Sequence, residues 1–170
     1  MSRLVLDVVD DSLPPSILGI HTSIDDVALV YALNQELDWG LCRFPEWKCV
    51  QPHLYSYHAF YRTHWQNVTI SLLWNIPEET TWINTPPTKE ADLFSDEEPM
   101  LPPKRPLINH PGSPNAFLVF DPELSPQEMV ILQRQIASVR GVVQQRFLPW
   151  STLRERENFL FEPLNDDYNS

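Results

Sequence analysis

Three residues near the start of the chain combine an imidazole with two carboxylates. His21 closes the short apolar run at residues 17–20, and Asp25 and Asp26 follow at the expected start of a helix. A histidine beside carboxylates at a strand-to-helix loop is an arrangement used for acid–base chemistry. Carboxylates also favour a helix N-terminus, and a histidine there can satisfy a local hydrogen bond. We favour this second interpretation and keep a small-molecule or enzymatic site at these residues as the alternative.

Three further histidines, His53, His58 and His64, lie in one segment. His58 and His64 share a face of a predicted strand, but six residues of strand separate two side chains by roughly 20 Å. One metal ion needs its ligands at about 2 Å. We therefore expect surface or hairpin histidines, with neither a metal site nor a cofactor.

Motifs of common enzyme classes are missing from the sequence. With four glycines in the chain, there is no GxGxxG, no P-loop and no GxSxG elbow. The cysteines, Cys42 and Cys49, match neither a CxxC redox pair nor a zinc knuckle, and two cysteines are too few for a disulfide framework. The sequence favours a non-catalytic protein in a reducing compartment.

The charge balance also limits the partners. A formal net charge of -11 and a pI near 4.7 repel phosphate backbones, so we expect no direct nucleic-acid binding. Residues 4–9 do not form a signal peptide, and no stretch approaches the roughly 18 apolar residues of a membrane helix. The expected location is cytoplasmic, without membrane contact.

Apolar periodicity predicts the elements of the first half of the chain. The patterns at residues 4–9 and 17–20 predict strands. A helix capped by Thr22 or Ser23 is expected to run to about Leu37. In residues 54–65 the odd positions are mostly aromatic and the even positions mostly polar, which is typical of a half-buried strand. A second alternating run at residues 68–74 predicts an antiparallel hairpin.

The second half begins with a proline-rich, acidic excursion at about residues 78–114, where regular structure is expected to be sparse. Within it, an acidic cluster surrounds Leu93 and Phe94. This segment is interpreted as a solvated loop, with a docking peptide anchored by Leu93 and Phe94 as the alternative.

Residues 116–148 predict a β-α-β unit with a right-handed crossover. Residues 116–120 are an apolar run that suits a strand covered on both faces. Ser125, Pro126 and Glu128 form a capping box that should start a helix, and Gly141 should end it. Residues 142–148 return as a strand.

Tryptophan is abundant, with six in the chain, and it is enriched at binding hot spots. Trp39, Trp47 and Trp82 lie near predicted turns, where full burial is harder. Together with Leu93 and Phe94 they are the candidate interface residues, and their partner is expected to be a protein.

Residues 16–37, Ser-Ile-Leu-Gly-Ile-His-Thr-Ser-Ile-Asp-Asp-Val-Ala-Leu-Val-Tyr-Ala-Leu-Asn-Gln-Glu-Leu, closely resemble the opening of the bacterial IPExxVDY family. The aromatic hairpin at 55–74, the Asp92-Leu93-Phe94 segment and the closing Phe159-Leu160-Phe161 also look like their counterparts. The naming motif departs: no Val-Asp-Tyr follows Ile76-Pro77-Glu78, and the better placement, Leu101-Pro102, puts Pro103 where glutamate is expected. The resemblance implies kinship and no known activity, substrate or cofactor.

These patterns together predict one α+β domain with a single compact core over residues 1–161, followed by a polar C-terminal tail at 162–170. The domain should contain a mostly antiparallel sheet, two amphipathic helices packed on it and the C-terminal β-α-β unit. The predicted function is a non-catalytic, cytoplasmic protein-binding module, and the alternative is the small-molecule or enzymatic site at His21, Asp25 and Asp26.

Overall fold

The computed structural model describes residues 13–84, 100–109 and 112–161. Along this part of the chain the elements are β1 (Ser16–Thr22), α1 (Asp26–Leu37), β2 (Cys42–Gln51), β3 (Leu54–Trp65), β4 (Val68–Trp74), β5 (Glu79–Trp82), β6 (Ala116–Asp121), α2 (Pro126–Ala137) and β7 (Val142–Leu148). Two short 3₁₀ turns follow, Trp150–Thr152 and Arg156–Phe159. The α+β class is confirmed. The predicted strand at 4–9, the Leu93-Phe94 segment and the tail at 162–170 lie outside the described residues.

The strands form a seven-stranded, mostly antiparallel sheet in the order β2-β3-β4-β6-β1-β7, with β5 paired to the first half of β3. β6 and β7 both run antiparallel to β1, on its two sides, and therefore run parallel to each other. The predicted β-α-β unit is present as β6-α2-β7, but β1 lies between its two strands. This position explains why residues 16–20 are all buried.

The N-cap of helix α1 is Asp25, two residues after Ser23 and three after Thr22. The Oδ1 of Asp25 accepts a hydrogen bond from the Ala28 N–H at 2.8 Å and caps the helix. The prediction of Thr22 or Ser23 as the cap is wrong, because the Thr22 hydroxyl and the Ser23 N–H both donate to the carbonyl of Gly141. These two residues therefore join the end of β1 to the turn before β7.

Helix α2 begins as its capping box predicts. The Ser125 Oγ accepts from the Glu128 N–H, and the Glu128 carboxylate accepts from the Ser125 N–H at 2.7 Å. The helix ends at Ala137, with Ser138 as its C-cap. Gly141, which was expected to stop the helix, lies beyond that end with φ +89°, and a Cβ there would meet the side chain of Ile24.

The β3-β4 hairpin is confirmed, with Phe60 opposite Leu73 and Trp65 opposite Val68. Its burial differs from the prediction, because three of the polar even positions of β3 are covered and only the last, His64, is exposed. Ser56 and His58 are fully buried and Arg62 is 8% exposed. The sequence pattern described one face of this strand correctly and missed that the other face is covered too.

Two strands, β2 and β5, were not predicted. β2 contains Pro45 and three charged residues and has no clean apolar alternation, and its pairing with β3 is irregular between Phe44 and Trp47. β5 lies at the start of the proline-rich excursion. Both belong to the sheet because they pair with β3, a contact that local sequence does not encode.

The buried apolar residues form two clusters on opposite faces of the sheet, where a single compact interior was expected. Along β6, Leu118 and Phe120 join the cluster under α1 and α2, whereas Phe117 and Val119 join the other. We call the two sides the helix face and the second face. The second face is covered by Leu107, Ile108 and Phe159.

Residues 107 and 108 correct the interpretation of the excursion as a solvated loop. Leu107 and Ile108 are buried in the second-face cluster. Asn75, which is 3% exposed, holds them there: its Nδ2 donates to the carbonyls of Ile108 and Pro114, and its Oδ1 accepts from the Ile108 N–H. This end of the excursion is therefore a structural part of the domain.

Candidate functional site

His21, Asp25 and Asp26 do not share contacts in the structure. The His21 Nε2–H donates to the Gly112 carbonyl at 2.9 Å, and its buried Nδ1 has no partner among the described residues. Asp25 caps α1, while Asp26 accepts from the Tyr61 hydroxyl at 2.7 Å. Within residues 13–84, 100–109 and 112–161, no hydrogen bond or ion pair joins His21 to either carboxylate. The predicted acid–base pair is not formed.

Asp26 instead belongs to an ion-pair network around Arg43. The guanidinium of Arg43 contacts Asp26 at 3.2 Å, Glu46 at 3.3 Å and Glu78 at 2.6 Å. Burial lowers the pKa of Arg43, but hydrogen bonds to Tyr61 and Glu78 outweigh it and the net shift is upward. The network links α1 to β2, β3 and the segment after β4, so we assign it a structural role.

The three tryptophans proposed as interface anchors have internal contacts. Trp39 is 4% exposed and packs edge-on against Phe120 at 6.0 Å, so its expected exposure is wrong. The chain after α1 folds over the helix face, which the position of a turn does not reveal. Trp47 is half-buried, donates to the Asn158 carbonyl and packs against Phe161. Trp82 is half-buried and donates to the Met100 carbonyl.

His58 also departs from expectation. His53 and His64 are exposed as predicted, but His58 is fully buried. Its Nδ1–H donates to the Trp74 carbonyl at 2.8 Å, and its Nε2 accepts from the Ser56 hydroxyl at 2.9 Å. Burial lowers the pKa of His58. In the described part of the chain, no group of three histidine, cysteine or acidic side chains is placed to hold a metal ion.

A cavity of about 380 Å³ opens on the second face of the sheet. We call it the Arg62 pocket. Four polar residues line it, Arg62, Thr69, Ser71 and Asp121, and they come from three neighbouring strands. The apolar lining consists of Leu13, Pro14, Pro15, Val119, Trp150, Phe159, Leu160 and Phe161.

Arg62 is the most unusual residue of the pocket, because this arginine is only 8% exposed. Its Nε–H donates to the Ser71 Oγ at 3.1 Å. The rings of Phe44, Phe60 and Phe161 lie 5.6 to 6.0 Å from the guanidinium carbon. Among the described residues no other hydrogen bond and no ion pair holds this guanidinium, so its two Nη groups have no protein acceptor there.

Asp121 supplies the negative charge of the pocket. Burial lowers the pKa of Arg62, and the charge of Asp121 opposes that shift. Within the described part of the chain, no ion pair joins the side chains of Arg62 and Asp121. Asp121 ends β6 opposite Thr69, while Arg62 lies on β3 opposite Ser71. The guanidinium of Arg62 and the carboxylate of Asp121 thus line the same cavity without pairing with each other.

The sequence interpretation missed this pocket because Arg62 was assigned to a solvent-facing set of polar residues. One signal was available. Phe60 is an apolar residue at an even position of the strand at 54–65, and the apolar Phe159-Leu160-Phe161 segment had no place in either predicted helix. Together these residues indicate a second covered face.

Comparisons with protein-family models, with curated proteins and with solved structures find no match to this chain. Neither helix among the described residues is long and apolar enough to cross a membrane.

Proposed function

We propose that this protein is a non-catalytic binding module that holds a carboxylate-bearing ligand with an apolar body in the Arg62 pocket. One observation carries the proposal: Arg62, a residue that is only 8% exposed, makes one hydrogen bond, to Ser71, and lines a cavity in which no described residue accepts from its other N–H groups. Arginine has five N–H donors and no acceptor, and buried charges are normally paired.

The neighbouring aromatic rings do not remove the need for an acceptor. Each of the three cation–π contacts is worth about 0.5 to 2 kcal/mol, which offsets only part of the several kcal/mol lost, with the hydrogen bonds to water, when the ion is buried. The rings attract the positive charge but offer the N–H groups no lone pair in their plane. A carboxylate would supply two oxygens matched to the planar fork of the guanidinium.

The chemistry of the pocket favours a carboxylate over a phosphate. Among the described residues that line the pocket Arg62 is the one cation, Asp121 adds a nearby negative charge, and the chain carries a net charge of -11. All three features oppose a multiply charged anion. Trp150, Phe159 and Phe161 favour an apolar body attached to the charged group.

The hydroxyl groups of Ser71 and Thr69 are not arranged like activated nucleophiles, which are hydrogen-bonded to a base. Ser71 accepts from Arg62, a cation that cannot act as a base. His64 Nδ1 lies 3.4 Å from the Thr69 Oγ1, a long separation for a base and its nucleophile, and His64 is exposed. These contacts support binding as the proposed role.

Calorimetry with two matched compounds tests the proposal. We expect 3-phenylpropionate to bind the full chain, and the neutral 3-phenylpropionamide to bind at least about tenfold more weakly, because the amide loses the charge-assisted pair. Arg62→Met should weaken 3-phenylpropionate binding by a similar factor. Arg140→Gln, at an exposed arginine, is the control and should bind as the wild type does.

The same experiment separates two sources of the carboxylate. A peptide that ends in phenylalanine with a free C-terminus represents a protein partner, and its C-terminal amide is the control. Binding of the free-acid peptide alone would assign the pocket to a protein C-terminus. The proposal would be contradicted if 3-phenylpropionate bound no better than its amide and the free-acid peptide no better than its amide. Unchanged binding of 3-phenylpropionate by a folded Arg62→Met variant would also contradict it.

Two broader assignments are also our proposals. Membership of the IPExxVDY family is supported by residues 16–37 and by the aromatic hairpin. A cytoplasmic location is supported by Cys42 and Cys49, which are both free thiols. We further propose that the acidic chain does not bind nucleic acid directly.

A further inference from the structure

We infer that Asp121 makes the Arg62 pocket selective for a free apolar α-amino acid, whose carboxylate lies on Arg62 and whose ammonium group lies on Asp121. This inference rests on the proposed function, because it assumes that Arg62 binds a carboxylate. It goes further in assigning the second charge of the pocket and in choosing a small molecule over a protein C-terminus.

The sheet places Arg62 and Asp121 on one face, on strands that are separated by β4. Arg62 faces Ser71, Ser71 faces Val119, and Asp121 is two residues beyond Val119 on β6. Residues two apart on a strand share a face. Because β4 lies between β3 and β6, the two backbones are about 10 Å apart across the sheet. The charge of Asp121 acts on Arg62, yet among the described residues no ion pair joins the two side chains.

An α-amino acid suits this gap because its two charged groups are attached to one carbon. The carboxylate would accept from the free Nη groups of Arg62, and the ammonium group would donate to Asp121. A peptide C-terminus has an amide nitrogen at that position and carries no positive charge there. The two sources of a carboxylate therefore differ at Asp121.

The charge of Asp121 also selects against plain carboxylates. Asp121 has no ion-pair partner among the described residues, so it would repel a ligand whose only charge is negative. An ammonium group on the ligand turns that repulsion into attraction. The apolar wall of Trp150, Phe159 and Phe161 then favours an apolar or aromatic side chain.

The volume of the pocket agrees with a ligand of this size. Small-molecule sites are commonly about 300 to 1,000 Å³. At about 380 Å³ the Arg62 pocket is near the lower end of that range, which suits an amino acid better than a dinucleotide cofactor.

The test compares L-phenylalanine with 3-phenylpropionate, which differs from it by the loss of the α-ammonium group. Calorimetry on the full chain at low salt should show about tenfold tighter binding of phenylalanine. Asp121→Asn should abolish that preference and leave 3-phenylpropionate bound at least as tightly as before. Glu123→Gln removes another exposed carboxylate close by in the chain and should leave the preference intact.

Each outcome distinguishes this inference from the proposed function. If 3-phenylpropionate binds through Arg62 and phenylalanine binds no more tightly, the inference fails and the proposed function stands. A phenylalanine preference that survives in Asp121→Asn, checked for folding by circular dichroism, also overturns the inference. If neither compound binds, the proposed function fails as well.

Discussion

Arg62 and Ser71 face each other across β3 and β4, and the Nε–H of Arg62 donates a hydrogen bond to the Ser71 Oγ at 3.1 Å. Ser71 is 2% exposed and also lines the Arg62 pocket. The bond fixes the inner edge of the guanidinium against the sheet. Among the described residues the two Nη groups have no hydrogen-bond acceptor, and Arg62 lines the cavity.

Replacing Ser71 should affect both stability and binding. Ser71→Ala leaves the buried Nε–H of Arg62 without its acceptor, so we expect the free energy of unfolding to fall by about 1 to 3 kcal/mol. Affinity for 3-phenylpropionate should also fall, because Arg62 is no longer held in place. Urea denaturation and calorimetry measure the two effects. Ser151→Ala, at an exposed turn, is the control, and a Ser71→Ala variant indistinguishable from it would argue against this role.

The buried His58 predicts a pH-dependent stability. Because burial lowers its pKa, the folded protein stays neutral at His58 while the unfolded chain takes up a proton below about pH 6.5. Stability should therefore fall with pH below that value, by at most about 1.4 kcal/mol per pH unit from this residue. The destabilisation caused by His58→Gln should be larger at pH 7.5 than at pH 5.5. Equal destabilisation at both values, measured by urea denaturation, would refute this account.

Asn75 should be essential for holding the end of the proline-rich excursion. Asn75→Ala removes three side-chain hydrogen bonds in a buried site and leaves the Ile108 N–H without its partner. We expect a loss of about 2 kcal/mol or more in the free energy of unfolding. Residues 100–109 should also become more sensitive to limited proteolysis. Asn109→Ala, at an exposed asparagine of the same segment, should have little effect on either measurement.

The two cysteines should differ in reactivity. Cys49 is buried, and burial raises its pKa to about 12, so little thiolate forms at pH 8. Cys42 is exposed. A thiol-reactive disulfide reagent should titrate one thiol in the native protein and two in urea. Cys42→Ser should remove the native reaction, and rapid labelling of this variant would show that Cys49 is more accessible than the structure indicates.

The elements that the sequence predicted correctly have local signals. The β3-β4 hairpin follows from two alternating runs separated by Gln66 and Asn67, both of which adopt positive φ. The start of α2 follows from Ser125, Pro126 and Glu128, which interact within four residues. The failed cap prediction for α1 shows the limit, because Thr22 and Ser23 are good cap residues that bind the distant Gly141 instead.

The sequence by itself determined the fold class, the hairpin, the buried strand β6 and the start of α2, because periodicity and capping act between residues close in the chain. The tertiary structure alone decided that the sheet is covered on both faces, that Trp39 and His58 are buried, and that Arg62 opens into a cavity. The covered second face and the Arg62 pocket depend on residues 150–161, whereas Trp39 is buried against Phe120 and His58 against β4, and all these partners are distant in sequence. From sequence alone, a polar residue on a strand is predicted to be exposed. Only the folded chain shows that a segment distant in sequence covers it.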